Sequence, residues 1–281
     1  MSCYICSHNQ HKVRKGTVRD APDLAVHECV NCGLVSLSSL EHIQAGHYED
    51  SGMHGEVVPS IESWLKDTEF DDERRYQMLK AALPNKKVLD FGCGAAGFLL
   101  RAQTLASSVA GIELERRVRE HWRGKVSVHA DLDAAGDGYD LITAFHVIEH
   151  LPDPKDMLKR LGGMLAAGGR LIVEVPNAND ALLTLYESDA FQRFTYWSKH
   201  LFLFNASTLD TLARQAGLNV VSIQQYQRYP LSNHAYWLSR GKPGGHKAWS
   251  FLDTPGLSEA YAASLAAVGK CDTLIAYLES K

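Results

Sequence analysis

The spacing of apolar residues changes character along the chain. Between residues 61 and 83, Ile61, Trp64 and Leu65 and then Tyr76, Leu79 and Leu83 recur at helical spacing, which predicts a helix ended by Pro84-Asn85. From Lys87 short apolar runs alternate with helical stretches, the signature of a parallel sheet with crossover helices. Strands are predicted at Val88 to Phe91, Val109 to Glu113, Val126 to Ala130, Tyr139 to Phe145 and Arg170 to Val175. Helices are predicted at Ala95 to Ala106, Leu114 to Trp122 and Met157 to Leu165, the last closed by Gly168-Gly169. A further helix is expected at Ser207 to Ala216, capped by Ser207 and ended by Gly217 in a left-handed turn, before a strand at Val220 to Tyr226. Residues 230–268 are aromatic and Gly-rich and read as an insertion. Thr273 to Leu278 can be written as a last strand or a terminal helix.

A chain of 281 residues, 45% hydrophobic, can bury one sizeable α/β core and a smaller appendage. Its net charge of −4 provides no basic field for a long phosphate backbone. No apolar run approaches the roughly 18 residues of a membrane span. The first residues also lack a charged segment followed by an apolar one, so a cytoplasmic protein is expected.

Four of the six cysteines, Cys3, Cys6, Cys29 and Cys32, form two C-x2-C pairs near the start of the chain. Such pairs can bring four thiolates into a tetrahedron around zinc, with Gly33 free to take the positive φ of the turn. Four protein ligands leave no open position, so this metal would be structural. The expected organisation is a zinc knuckle over 1–40, a linker or lid with the first helix over 41–84, and a catalytic domain over 85–281 with a substrate insertion at about 228–268.

Asp90-Phe91-Gly92-Cys93-Gly94-Ala95-Ala96-Gly97 sets a glycine-rich turn between a strand and a helix. Glycines let a ligand approach the backbone there, and the helix start offers unpaired N–H groups. Glu113 ends the next strand about 20 residues on, where a carboxylate can accept both ribose hydroxyls. A dinucleotide site shares this pattern, but Asp90 would repel a pyrophosphate and attract the amino group of a methionine. Asp131, after the third strand, can accept from an adenine amino group.

These residues resemble the class I S-adenosylmethionine-dependent methyltransferases, in particular the subgroup with an E-H-L signature after the fourth strand. The resemblance rests on Val88 to Gly97, Gly111-Ile112-Glu113, Ala130-Asp131, Phe145 to Leu151 and Gly168 to Pro176. It implies a Rossmann-like, seven-stranded sheet with its last strand antiparallel, which favours a strand at Thr273 to Leu278. It also implies that Asp90, Gly92 and Gly94 line the methionine end, that Glu113 holds the ribose and that Asp131 meets the adenine; His146 is a further candidate for the cofactor site.

His146-Val147-Ile148-Glu149-His150 also spells a zinc-peptidase motif, but it follows a β-branched apolar run and precedes Pro152, so a helix is not expected. At the carboxyl edge of a sheet, Glu149 and His150 become active-site candidates. His150, with an ordinary pKa of about 6.5, is the expected general base. Tyr196, His200, Arg228, Asn233, His234 and His246 could stack on rings and bind hydroxyls or a phosphate. His200 to Phe204 is expected to pair or pack with the sheet.

The expected reaction is methyl transfer from S-adenosylmethionine to a small acceptor, first of all a sugar or nucleotide-linked sugar. A zinc-knuckle RNA methyltransferase and a non-catalytic binding module are the alternatives. The acidic charge and the lack of a Lys/Arg-rich stripe weigh against nucleic acid.

Overall fold

The computed structural model describes residues 2–43, 49, 53–54 and 57–281, so most of the stretch expected to serve as linker or lid lies outside the described residues. Strands β1 (His11–Val13), β2 (Val26–Cys29) and β3 (Val35–Leu37) form an antiparallel sheet. Its fourth strand, β9 (Phe202–Leu203), comes from the far half of the chain and pairs with β3. Thus the His200–Phe204 segment pairs with the N-terminal sheet, and it meets the central sheet through the Asn177–Phe204 bridge, the Leu201 N–Glu149 O bond and core packing. Val26, Leu34, Val35 and Leu37 are buried in the same core cluster as Leu201, Phe204 and the sheet residue Ile142.

Helix α1 (Ile61–Leu79) begins where the Ser60 side chain accepts from the Ser63 N–H. The catalytic half then runs β4 (Lys87–Phe91), α2 (Gly97–Ala102), β5 (Ser108–Ile112), α3 (Arg116–Trp122), β6 (Ser127–His129), β7 (Tyr139–Phe145), α4 (Pro154–Gly163) and β8 (Leu165–Pro176). After it come α5 (Ala181–Thr184), α6 (Asp189–Thr195), β9, α7 (Ala206–Gln215), β10 (Leu218–Tyr226), α8 (Leu231–Arg240), α9 (Gly245–Ala248), α10 (Pro255–Ala267) and β11 (Thr273–Ser280). The central sheet has seven strands in the order β6-β5-β4-β7-β8-β11-β10. Strand β11 alone is reversed, antiparallel to both neighbours. The last segment is therefore the strand favoured above. The chain winds outward in opposite directions from β4 and β7, which opens a crevice at their carboxyl ends.

Several boundaries differ from expectation. Helix α7 is capped by Asn205, whose side chain accepts from Thr208 N while Thr208 reciprocates, so Ser207 lies inside the first turn. Gly217 does take the left-handed conformation, φ 85°. Helix α4 starts early, because Asp153 caps it and Pro154 fits its first turn, and it ends at Gly163. Residues 165–169, including both glycines, belong instead to β8. Helix α2 starts only at Gly97, since Ala96 is held at φ 67° in the turn before it. The expected insertion contributes α8, α9 and α10, of which α8 and α9 line a cavity at the carboxyl edge.

Gly97 seats α1 on α2, for a Cβ there would stand 2.0 Å from Asp72 Oδ2. Gly97→Ala is therefore expected to lower folding stability by about 1–3 kcal/mol in urea titrations. An unchanged unfolding midpoint would contradict this seating of α1.

Candidate active site

The loops after β4, β5, β6 and β7 converge with α1 on a cavity of about 560 Å³. In the first loop Gly92 sits at φ 72°, and a Cβ there would come within 2.4 Å of Val147 Cγ2, so the two central loops touch through this glycine. Asp90 is buried at the floor and accepts from Thr143 Oγ1 at 2.7 Å. Burial raises its pKa to about 7. Glu113 bridges two loops: Oε2 accepts from Gly94 N and Oε1 from Glu115 N, both at 2.9 Å. Burial pushes its pKa up as well. Asp131 lines the same cavity, with Oδ1 accepting from Ala134 N at 2.9 Å. Asp90, Gly92, Gly94, Glu113, Asp131 and His146 are thus brought together.

Sequence reading missed the wall that α1 supplies: Trp64, Thr68, Asp71, Asp72 and Arg75. Their three- and four-residue spacing was the available signal, a polar stripe that turns inward. Met53 also lines the cavity, and His54 packs edge-on against Trp64, with ring centroids 4.6 Å apart.

A second cavity of about 420 Å³ opens on the other side of His146, His150 and Arg228, which line both. Along this shared wall Glu174, fully buried, lies 2.7 Å from Arg74 Nη2, 2.8 Å from Arg75 Nη2 and 3.2 Å from His146 Nε2. Burial opposes its charge, yet Arg75 and the His146 contact hold its carboxyl well below the ordinary range. His146 takes φ 55° and brings Nδ1 to 3.2 Å from Glu149 Oε1. Burial disfavours the imidazolium, but the two carboxylates prevail and raise the His146 pKa. Glu149 is held below its usual range, burial being outweighed by His146 and the neighbouring imidazoles.

The second cavity is built from β7–α4, α6, α8 and the segment ending in β9. His200, Arg228, Asn233, His234 and His246 all line it, beside Phe191, Phe194, Trp197 and Trp237. His150 Nδ1 lies 2.6 Å from Lys199 O, and His200 Nδ1 2.8 Å from Thr195 O. Burial lowers the pKa of both rings, that of His200 to about 4. His234 Nδ1 meets Tyr261 Oη at 2.7 Å, and Asn233 Oδ1 accepts from Gly244 N at 3.3 Å. Tyr196 is the exception among the expected substrate residues: it is buried behind the wall, its ring against Gly16. Arg228 is committed elsewhere too, since its guanidinium pairs with Asp71.

In the N-terminal lobe the four sulfurs of Cys3, Cys6, Cys29 and Cys32 lie within 4.8 Å of one another. The Cys3–Cys32 and Cys6–Cys29 pairs are each 3.5 Å apart. No helix among the described residues is long and apolar enough to cross a membrane.

A doubly wound sheet with one reversed strand, an acid-lined glycine loop and a second cavity beyond a shared wall together form an α/β fold with its candidate site at the carboxyl edge of the strands. The model of a methyltransferase domain matches residues 63–223, so the chain belongs to that family. A ubiquinone biosynthesis O-methyltransferase of Pseudomonas putida (strain GB-1) is 28% identical over 197 residues, 64% of this chain and 79% of that protein. The protein of the same name from Pseudomonas fluorescens (strain SBW25) is 28% identical over 170 residues, 54% of this chain and 72% of its own length. The fold is shared with a solved S-adenosylmethionine-dependent methyltransferase from Thermotoga maritima, titled a possible histamine N-methyltransferase (TM-score 0.51, 22% identity, 78% of this chain and 94% of that one). An Archaeoglobus fulgidus S-adenosylmethionine-dependent methyltransferase shares it also (TM-score 0.51, 16% identity, 78% and 99%). The chain is an S-adenosylmethionine-dependent methyltransferase.

Removing the Asp71 charge would leave the Arg228 guanidinium without its partner between the cavities. Asp71→Asn should lower folding stability by about 3 kcal/mol in chemical denaturation. A change within error would contradict the structural weight given to this pair.

Proposed function

We propose that the chain methylates an oxygen of a small, ring-bearing hydroxylated acceptor held in the second cavity. The observation that carries this reading is the single wall, His146, His150 and Arg228, shared by the two cavities. Enclosure of about 420 Å³ suits a small molecule, and Phe191, Phe194, Trp197 and Trp237 offer faces for a planar ring or the apolar face of a sugar. The O-methyltransferase name of the relatives favours oxygen as the accepting atom. The sugar or nucleotide-linked sugar expected from sequence is one member of this class.

S-adenosylmethionine supplies an electrophilic methyl group on a sulfonium. Asp90 attracts the ammonium of its methionine end, Glu113 accepts from the ribose hydroxyls, and Asp131 faces the adenine. Gly92 and Gly94 keep the loop open to the ligand, and His146 stands where the cofactor and acceptor cavities meet. Most of the catalytic gain comes from alignment and exclusion of water, because the methyl moves between two held molecules with little covalent help. Glu149, His150 and His200 form the polar corner that receives the acceptor hydroxyl. His150, expected from sequence as the base, is anchored through Nδ1 and presents its other edge to that corner.

Asp90 yields a pH test. Its carboxylate is the form that attracts an ammonium, and burial holds its pKa near 7 without ligand. A bound ammonium lowers that pKa, so affinity is full above about 7 and falls by up to about tenfold per unit below it. Calorimetric titration with S-adenosylhomocysteine should show this decline, and Asp90→Asn should flatten it. A pH-independent affinity in the parent chain would contradict the assignment.

We also propose that Cys3, Cys6, Cys29 and Cys32 hold one structural zinc. Their spacing fits Zn–S bonds of about 2.3 Å, for which tetrahedral sulfurs stand close to 4 Å apart. The ion would tie the first residues to the segment between β2 and β3 and so hold the lobe against β9. Elemental analysis should find one zinc per chain, and Cys29→Ser should lose it with a drop of several degrees in melting temperature. A folded, zinc-free parent protein would contradict this.

A further inference from the structure

Glu149, His150 and His200 each present one donor atom to a common point, all within 4.8 Å of one another, on the wall of the second cavity. We propose that they bind a divalent first-row transition cation that holds and activates the acceptor hydroxyl. This inference rests on the reading of the second cavity as the acceptor site.

Four features of the corner carry it. His150 and His200 each direct Nδ1 at a main-chain carbonyl, Lys199 O and Thr195 O, which fixes Nδ1–H as the tautomer and puts the lone pair on Nε2. A ring nitrogen anchored to a carbonyl while the other faces a cluster is the usual support of a metal-binding histidine. The two imidazoles come from distant segments, yet their centroids are 5.0 Å apart, and His150 Nε2 lies 4.0 Å from Glu149 Oε1.

Glu149 is fully buried, and its Oε2 meets no hydrogen-bond partner among the described residues. A buried carboxylate oxygen left without a donor is costly, and a cation would remove that cost. Oε1 is occupied by His146, itself pinned by Glu174. His146 therefore acts as the support that aims Glu149, outside the donor set.

Two imidazole nitrogens and one carboxylate oxygen match first-row ions such as zinc, iron(II), cobalt or manganese and suit magnesium or calcium poorly. The donors stand somewhat further apart than ligands at about 2.1 Å from an ion would, so binding draws them inward. Three protein ligands leave positions open toward the cavity, unlike the closed four-cysteine cluster.

An acceptor oxygen at an open position would lose its proton more readily, since the cation stabilises the oxyanion. The proton passes to solvent water, and an oxygen electron pair forms the bond to the methyl carbon. The carbon–sulfur bond breaks with its pair on sulfur, which leaves as a neutral thioether. No oxidation is involved.

The test uses the full chain, with its cysteine cluster saturated by zinc beforehand, and Mn2+ alone as the probe. Electron paramagnetic resonance should count about one bound Mn2+ per chain, bound at least tenfold more weakly in His200→Ala and Glu149→Gln. A melting shift with S-adenosylhomocysteine, retained in each variant, marks it as folded. In the parent chain Mn2+ should broaden the ring proton signals of His150 and His200 before those of His11, His27 or His121, a readout that needs no variant. Absence of Mn2+ binding, or binding that leaves His150 and His200 sharp, overturns the cation site even where S-adenosylhomocysteine binds. Mn2+ binding with the expected broadening but no S-adenosylhomocysteine binding keeps the cation site and overturns the methyl-transfer reading instead.

Discussion

A carboxylate without solvent must be surrounded by positive charge, and the catalytic edge of this molecule is organised around that demand at Glu174. Arg74 and Arg75 reach it from α1, and His146 reaches it from the loop after β7. Each partner comes from an element that also builds a cavity, so satisfying one charge sets the distance between α1 and the sheet. His146 N also donates to Glu174 O at 2.8 Å, which fixes the backbone of the same loop. With His146 held, its second nitrogen aims Glu149, and the polar corner of the second cavity follows. The adjacent Asp71–Arg228 pair ties α1 to the segment after β10 by the same logic. Buried charge of this kind contributes little net stability, but breaking any one partner is expensive, which makes the arrangement specific.

The N-terminal lobe is part of this construction. Its strand β3 pairs with β9, and His200 lies immediately before β9 at the wall of the second cavity. Arg19, from the same lobe, lines that cavity and lies over the Trp197 ring at 4.5 Å. A perturbation among the four cysteines can therefore reach the second cavity through a strand register. Beyond the shared wall the two cavities draw on different elements: the larger on α1 and the loops after β4, β5 and β6, the second on Arg19 of the lobe, α6 and α8.

That Asp90, Gly92, Gly94, Glu113 and Asp131 share one cavity is largely legible in the chain because the signals are local. Asp90 to Gly97 and Glu113 carry their meaning in a few residues, and the apolar runs of a parallel sheet are hard to mistake. The acceptor side was legible as a set of residues but not as an arrangement. His200 was singled out for stacking and hydrogen bonding, yet its approach to Glu149 and His150 depends on β3–β9 pairing across more than half the chain, which no periodicity reports. Arg228 reads in the sequence as a group for substrate hydroxyls or a phosphate, because its partner Asp71 lies on a helix distant in sequence. Tyr196 lies behind the wall instead of at the substrate, and the sequence does not show this because an aromatic beside Trp197 looks alike whether it lines a pocket or backs it. The H-x-x-E-H string does not read as a zinc-peptidase motif because no helix is expected there. The chain indeed makes only a short 3-10 turn at Ile148–His150, and the donors gather through tertiary contacts instead.

The central claim is that one wall separates a donor from an acceptor and that the methyl crosses it. A crystal structure with S-adenosylhomocysteine tests this most directly. The ligand should lie in the larger cavity with its ribose hydroxyls on Glu113, its ammonium toward Asp90 and its sulfur at the His146–His150 wall, facing the second cavity. A ligand seated in the second cavity, or one whose sulfur points away from that wall, would contradict the account.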